Sequence, residues 1–222
     1  MSDDTFATPL RQILDAGAGE IGLQLERRQV AMLLVLVREL VDWSARFNLT
    51  AIREPPDIVR KHLLDSLTLQ PHLVGERVAD VGTGAGFPGL PLAIADPRRH
   101  YTLIEATAKK VRFVEHVVTQ LALPNVTVVN ARAESWKPAT RFDSVVARAL
   151  ASVPDFVRFA GHLVAPQGRL LAMKGQLPNQ ELAAIPRGWR VTGTVPLHVP
   201  GLDAARHLVI LQRAADAGSR SR

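Results

Sequence analysis

Eleven residues constrain this chain more than any others: Ala79-Asp80-Val81-Gly82-Thr83-Gly84-Ala85-Gly86-Phe87-Pro88-Gly89. The apolar run Val78 to Val81 leads into them, and a helical pattern over about 88–95 leads out. Glycines at a strand-to-helix turn let the backbone bend sharply and approach a ligand closely. In open α/β sheets, ligands sit beyond the carboxyl ends of the strands, where such a turn lies.

The rest of the chain supplies what the turn needs around it. Further short apolar runs occur at Tyr101 to Ile104, Val126 to Val129, Ser144 to Ala147 and Arg169 to Met173. Helical patterns fit between them at about 107–121, 152–164 and 178–184. Strands alternating with helices predict βαβ units and a largely parallel sheet. The last runs, Arg190 to Val195 and His207 to Leu211, are joined only through Pro196, Pro200 and Gly201. An antiparallel hairpin at one sheet edge follows. Ahead of Gly75 the texture is helical. Glu26 to Phe47 carries Val30, Leu33, Leu34, Val37, Leu40 and Val41 at helical spacing. A second stretch runs over about 57–69, where Asp57 follows Pro55-Pro56 and can cap it. Asn48-Leu49-Thr50 reads as the link between the two. The expected fold is α/β with seven strands, the last antiparallel. Residues 1–74 form a helical extension, 75–213 the sheet domain and 214–222 a flexible tail.

A chain of 222 residues suits one sizeable domain. It has no cysteine, which excludes disulfides, thiolate metal sites and cysteine nucleophiles. The start is acidic and polar, unlike a secretory signal. The longest apolar run, Val30 to Val37, falls far short of the roughly 20 residues that span a bilayer. A soluble cytoplasmic protein without membrane contact is expected. The 27 basic against 21 acidic residues give +6, which favours a polyanionic partner. Arg53, Arg60 and Lys61 form one basic group. Arg98, Arg99, Lys109, Lys110 and Arg112 form another, although solvated helix faces account for such groups equally well.

The glycine loop admits two readings. Gly84 to Gly89 matches the dinucleotide pattern G-x-G-x-x-G. Counted from Asp80, Gly82, Gly84 and Gly86 give D-x-G-x-G-x-G, a methyltransferase pattern. Asp80 separates them. An acid at the strand end can receive the cationic amino group of a methionine moiety and would repel a pyrophosphate. Pro88 also lacks a backbone donor where a pyrophosphate needs one. Glu105, 19 residues after Gly86, ends the next strand and can accept both hydroxyls of a ribose. After the third strand, Asn130-Ala131-Arg132-Ala133-Glu134 borders the place of an adenine. After the fourth, the turn Ala147-Arg148-Ala149-Leu150 puts an arginine at the cleft mouth, able to hold a carboxylate or phosphate.

Taken together, several segments resemble one family. They are Asn48-Leu49-Thr50-Ala51-Ile52-Arg53, His62-Leu63-Leu64-Asp65-Ser66-Leu67, Asp80 to Pro91, Lys110-Val111-Arg112-Phe113, Ala147-Arg148-Ala149, Lys174-Gly175-Gln176 and Arg206-His207-Leu208-Val209. Over about residues 26–212 the chain is similar to the bacterial ribosomal RNA small-subunit methyltransferase G family, also called glucose-inhibited division protein B. The resemblance implies a Rossmann-like class I methyltransferase fold and S-adenosylmethionine as methyl donor. It implies methylation at N7 of guanine 527, in the 530 loop of 16S rRNA, within the 30S subunit or its precursor. Cofactor contacts carry over to Gly82, Phe87, Ala133, Glu134 and Arg148, beside Asp80, Gly84, Gly86 and Glu105. Many members have Asp where Glu105 stands, and Ser where Ala147 stands.

The chemistry agrees. Guanine N7 is an unprotonated in-plane lone pair, so its attack on a sulfonium methyl needs proximity and alignment rather than a general base. No catalytic side chain is therefore expected. Pyrimidine C5 methylation usually needs the absent cysteine. Exocyclic amino methylation commonly uses a D/N-P-P-Y/F turn, where Ala147 to Leu150 stands instead. Arg53, Lys61, Lys174 and Arg206 are the candidate RNA contacts. His62 and Asp65, three apart on one helix, share a face and could orient RNA or close the cofactor site, but read foremost as a polar face or a pin for the N-terminal region. His62 and His207 are too isolated for a metal site. Competing readings are an NAD-linked oxidoreductase, a ribosome assembly factor without catalysis, and a small-molecule methyltransferase. Oligomeric state is not legible.

Overall fold

Side-chain parity organises the molecule. Along each buried strand alternate residues face opposite sides of the sheet, and here the two sides feed two hydrophobic clusters. Val78, Val146, Leu171, Leu208 and Ile210 join one side; Ala79, Val145, Leu170, Val209 and Leu211 join the other. The computed structural model describes residues 3–148 and 151–214, with side chains from residue 7. Ala149 and Leu150 of the expected turn, and the expected tail from 215 onward, lie outside the described residues.

Seven strands form one sheet in the order β3-β2-β1-β4-β5-β7-β6. They are β1 (Arg77–Val81), β2 (His100–Glu105), β3 (Val126–Asn130), β4 (Phe142–Arg148), β5 (Val164–Lys174), β6 (Trp189–Pro196) and β7 (His207–Arg213). β1 to β5 pair in parallel, and β7 runs antiparallel to both β5 and β6. Strand order reverses between β1 and β4. The crevice beyond their carboxyl ends is where this architecture holds ligands.

The helices are α1 (Asp3–Glu20), α2 (Arg27–Phe47), α3 (Pro55–Ile58), α4 (Asp65–Leu67), α5 (Gly89–Ala95), α6 (Ala108–Gln120), α7 (Val153–Ala160) and α8 (Asn179–Leu182). A π-helical turn, Val59–Leu64, joins α3 to α4. Gln29 accepts from the backbone N–H of Glu26 and donates to the carbonyls of Ile94 and Ala95, fastening the start of α2 to the end of α5. Asn48 ends α2 in the left-handed region at φ 49°, a conformation that asparagine tolerates. The larger hydrophobic cluster runs without a break from Leu10 and Leu14 of α1 through α2 and the 55–67 segment to Ile210 of β7.

Three local expectations are corrected. Asp57 does not cap its helix: the N-cap is Glu54, Pro55 and Pro56 fill the first positions, and Asp57 pairs with Lys61 at 2.9 Å. β5 begins at Val164 rather than Arg169. Pro166 and Gly168, ahead of the apolar run, lie within the strand in an irregular stretch where the pairing with β4 shifts register. The second basic group is divided, because Arg98 and Arg99 precede β2, whereas Lys109, Lys110 and Arg112 follow it. Arg98 and Arg99 both bind Asp96.

Candidate active site

The glycine loop is built around one carboxylate. Asp80 is 1% exposed. Its Oδ2 accepts from the Thr83 hydroxyl at 2.6 Å and from the Gly89 N–H at 2.7 Å. Its Oδ1 is buried and has no hydrogen-bond partner among the described residues. Burial pushes the Asp80 carboxyl up to about 6, against the opposing pull of Thr83, Gly89 and Arg148. The N–H groups of Gly82 and Thr83 donate to the Ile104 carbonyl, which holds the loop against β2. Gly89 must be glycine here: a Cβ would lie 2.1 Å from Leu103 Cδ2 and 2.8 Å from Asp80 Oδ2.

Beside the loop lies a cavity of about 360 Å³. Gly82, Glu105, Ala133 and Glu134 line it, together with Lys110 and Phe159 among others. Glu105 is nearly buried. One oxygen accepts from the Gly84 N–H at 2.9 Å and the other from the Thr107 N–H at 2.8 Å. These bonds hold the carboxylate at the cavity wall. Asn130 donates to the Glu105 and Ala106 carbonyls, joining the ends of β2 and β3. Glu134 is exposed, 3.9 Å from Arg132. A larger hollow of about 690 Å³ between α2 and α6, lined by Glu39, Trp43, Phe47 and His116, contains none of these groups. Its lining comes from α2 and α6 alone, so it is not the site that the loop defines.

Across the loop stands the segment 50–65. The His62 ring stacks on Phe87, centroids 4.7 Å apart and planes 21° apart. His62 Nε2 lies 3.0 Å from Thr50 Oγ1, which also accepts from the Ile52 N–H. Burial, aided by the Arg148 charge, lowers the imidazole to about 3, so it is neutral in the physiological range. Arg148, at the end of β4, places its guanidinium 5.4 Å from the Phe87 centroid. It donates to the Lys61 carbonyl at 3.0 Å and to Asp65 Oδ2 at 3.3 Å. Arg206 Nε donates to Asp65 Oδ1 at 3.1 Å.

The sequence-derived candidates thus fall into groups. Gly82, Glu105, Ala133 and Glu134 line the cavity, Asp80, Gly84 and Gly86 belong to the loop beside it, and Phe87 and Arg148 stand together across that loop. Arg206 joins them through Asp65. Arg53 instead donates to the Ser44 carbonyl and Asn48 Oδ1, bracing the end of α2. Lys61 pairs with Asp57. Lys174 donates to the Ala151 carbonyl and pairs with Glu181 at 2.9 Å. Thr83 and Thr50 had no signal of their own. His62 and Asp65 had one, their spacing of three on a helix, and they do pin the N-terminal region as that spacing allows.

A family model described as rRNA small subunit methyltransferase G matches residues 29–209. The chain belongs to that family. A ribosomal RNA small subunit methyltransferase G of Nitrosococcus oceani is 45% identical over 92% of this chain and 96% of its own length. One of Xanthomonas campestris is 47% identical over 86% of this chain and 92% of its own. Among solved structures, the glycopeptide N-methyltransferase MtfA, complexed with S-adenosyl-L-homocysteine, superposes with TM-score 0.59 at 13% identity. It covers 69% of this chain and 87% of its own. An S-adenosylmethionine-dependent methyltransferase from Aquifex aeolicus gives 0.53 at 20% identity, over 70% and 93%. At these identities the likeness establishes the class I methyltransferase fold.

Proposed function

We propose that this chain methylates N7 of the guanine at position 527 of 16S rRNA, within the 30S subunit or its precursor in the cytoplasm, using S-adenosylmethionine. The observation that carries the reading is the pair of carboxylates, Asp80 and Glu105, at the ends of adjacent strands in a member of this family. Asp80 Oδ1 is an orphaned buried acceptor, which suits a cationic amino group. Glu105 stands at the wall of a cavity, which suits ribose hydroxyls. Ala133 and Glu134 are placed to read an adenine edge. The residues present therefore fit the methyl donor.

When bound, S-adenosylmethionine supplies a methyl group on a cationic sulfur, which a neutral lone pair can take. The protein's own contribution is placement. Gly82, Gly84 and Gly86 allow close backbone approach, and the His62–Phe87 stack is a water-excluding apolar wall. Arg148 offers N–H donors at the mouth. No side chain has to remove a proton, because N7 carries none. The helical part, residues 1–74, covers one side of the crevice and helps meet RNA, and the sheet part 75–213 holds the cofactor.

A strain lacking the gene provides the test. Its 16S rRNA should resist chain cleavage at that guanine under conditions that cut at 7-methylguanine, and expression of this chain should restore the cut. Restored growth with no restored cut would defeat the reading and favour an assembly role.

A further inference from the structure

We propose that Asp65 is a positioning residue that ties Arg206 to Arg148, so that Arg148 stays turned to the cofactor while the remaining N–H groups of Arg206 grip the RNA backbone beside the target base. The inference rests on the ribosomal RNA reading above and extends it to a residue to which that reading gave no role.

Asp65 follows directly on the π-helical turn and its side chain is 3% exposed. π turns inside α-helices occur frequently at functional sites. Each of its oxygens takes one arginine: Oδ2 takes Arg148 at 3.3 Å and Oδ1 takes Arg206 at 3.1 Å. Three distant parts of the chain meet there. Arg148 comes from the carboxyl end of β4. Arg206 immediately precedes β7, whose first residue His207 pairs with Lys174 at the carboxyl end of β5. Both arginines therefore stand on the edge of the sheet where the glycine loop stands.

The hydrogen-bond inventory shows what the pair has left. Arg148 uses Nη1 on Asp65 and on the Lys61 carbonyl. Arg206 uses Nε on Asp65 and Nη1 on the Ala205 carbonyl. Arg206 Nη2 has no hydrogen-bond partner among the described residues, and Arg148, whose guanidinium lies over Phe87, keeps Nε and Nη2 for the cofactor side. The side chains are 20% and 26% exposed while the carboxylate that joins them is buried. A pin made for stability alone would bury its cations, and a buried ion pair is in any case weak evidence for stability. Two cations on one anion leave a net positive site with spare planar donors, the chemistry that recognises phosphate oxygens. Without the carboxylate, two like charges would lose their common anchor and separate.

The experiment compares the full-length wild type with Asp65→Asn, Arg206→Gln, the double variant and Arg206→Lys. Labelled methyl transfer into 30S particles from cells lacking the gene is measured over a range of salt, alongside S-adenosylmethionine affinity by calorimetry and Tm. Arg206→Gln and Asp65→Asn should each lower kcat/KM for the particle by about 30-fold, mainly through KM, as loss of a charge-assisted phosphate contact does. The double variant should lie within about 3-fold of either single, because residues acting through one another are not additive. Arg206→Gln should also flatten the salt dependence by about one unit of slope. Arg206→Lys keeps the charge and loses the planar fork. It should lose about 10-fold with Tm and cofactor affinity unchanged, and it decides the matter if Asp65→Asn does not fold. Multiplying losses in the double variant, or a wild-type Arg206→Lys, would overturn the inference. A wild type that labels no RNA would instead overturn the function it rests on.

Discussion

At the residue scale the account turns on Asp80. Its carboxyl is raised from 3.8 to about 6, chiefly by burial. A raised carboxyl contributes stability that is complete below pH 3.8 and lost as pH rises through about 6, so the ionised form at pH 7 is held at a cost of about 2–3 kcal/mol. Asp80→Asn keeps an oxygen for Thr83 and Gly89 and removes that cost. The cofactor-free variant should melt above the wild type at pH 7, and the gap should close as pH falls toward 4. Binding of a cationic amino group needs the ionised carboxylate. Wild-type affinity for S-adenosylmethionine should therefore rise from pH 5 to 7, while the variant binds about 10- to 100-fold more weakly with little slope. Calorimetry across that range checks both. A variant that melts higher and binds equally well would remove Asp80 from the cofactor's amino group. His62 stays neutral throughout this window, being held near 3.

At the scale of elements, much was legible, for identifiable reasons. Short apolar runs alternating with helical patterns located β1 to β4 within two residues at each end, and Pro196, Pro200 and Gly201 marked the β6–β7 hairpin. Legibility failed where a residue's reason is tertiary. Gly168 lies outside the apolar run that marked β5, yet its Cβ would meet the Phe142 and Asp143 carbonyl oxygens at 2.8 Å, so it is glycine because two strands approach there. Gly168→Ala should push β5 off β4 and cost about 1–3 kcal/mol, read by denaturant unfolding, with cofactor affinity of the folded fraction unchanged. Asp57 looked like a cap because it follows two prolines, but the prolines themselves occupy the first turn. Lys61 and Lys174 looked free as isolated letters; Asp57 and Glu181, four and seven residues further off, neutralise them. The glycine loop was legible because its requirement is local. The Asp65 junction was not, because its partners lie 83 and 141 residues away.

At the scale of the whole molecule, the helical region and the sheet share one apolar cluster that extends from Leu10 to Ile210. A division at residue 74 marks a change of texture, and the packing crosses it. Thermal unfolding should show one transition by far-UV circular dichroism and by tryptophan fluorescence, with coincident midpoints. Leu14→Ala, in a fully buried position of α1, should lower that single transition by about 2–4 kcal/mol. Two separated transitions, with only the first moved by Leu14→Ala, would contradict a shared core. The crevice residues come from both regions: Thr50, His62 and Asp65 from one, Asp80, Phe87, Arg148 and Arg206 from the other. A common core is what keeps them in register. The 27 basic residues are distributed over this frame, and some of them, Arg98, Arg99, Lys61 and Lys174, are paired with local carboxylates.

The central claim is methyl transfer to one guanine, and labelled S-adenosylmethionine with purified 16S rRNA and 30S particles from cells lacking the gene tests it most directly. Cleavage at 7-methylguanine locates the product. The account predicts label at a single guanine of the 530 loop with the wild type, and at the same guanine but about 10- to 100-fold less with Asp80→Asn at sub-saturating cofactor. Label at another base, or none on either substrate while the cofactor still binds, would contradict it.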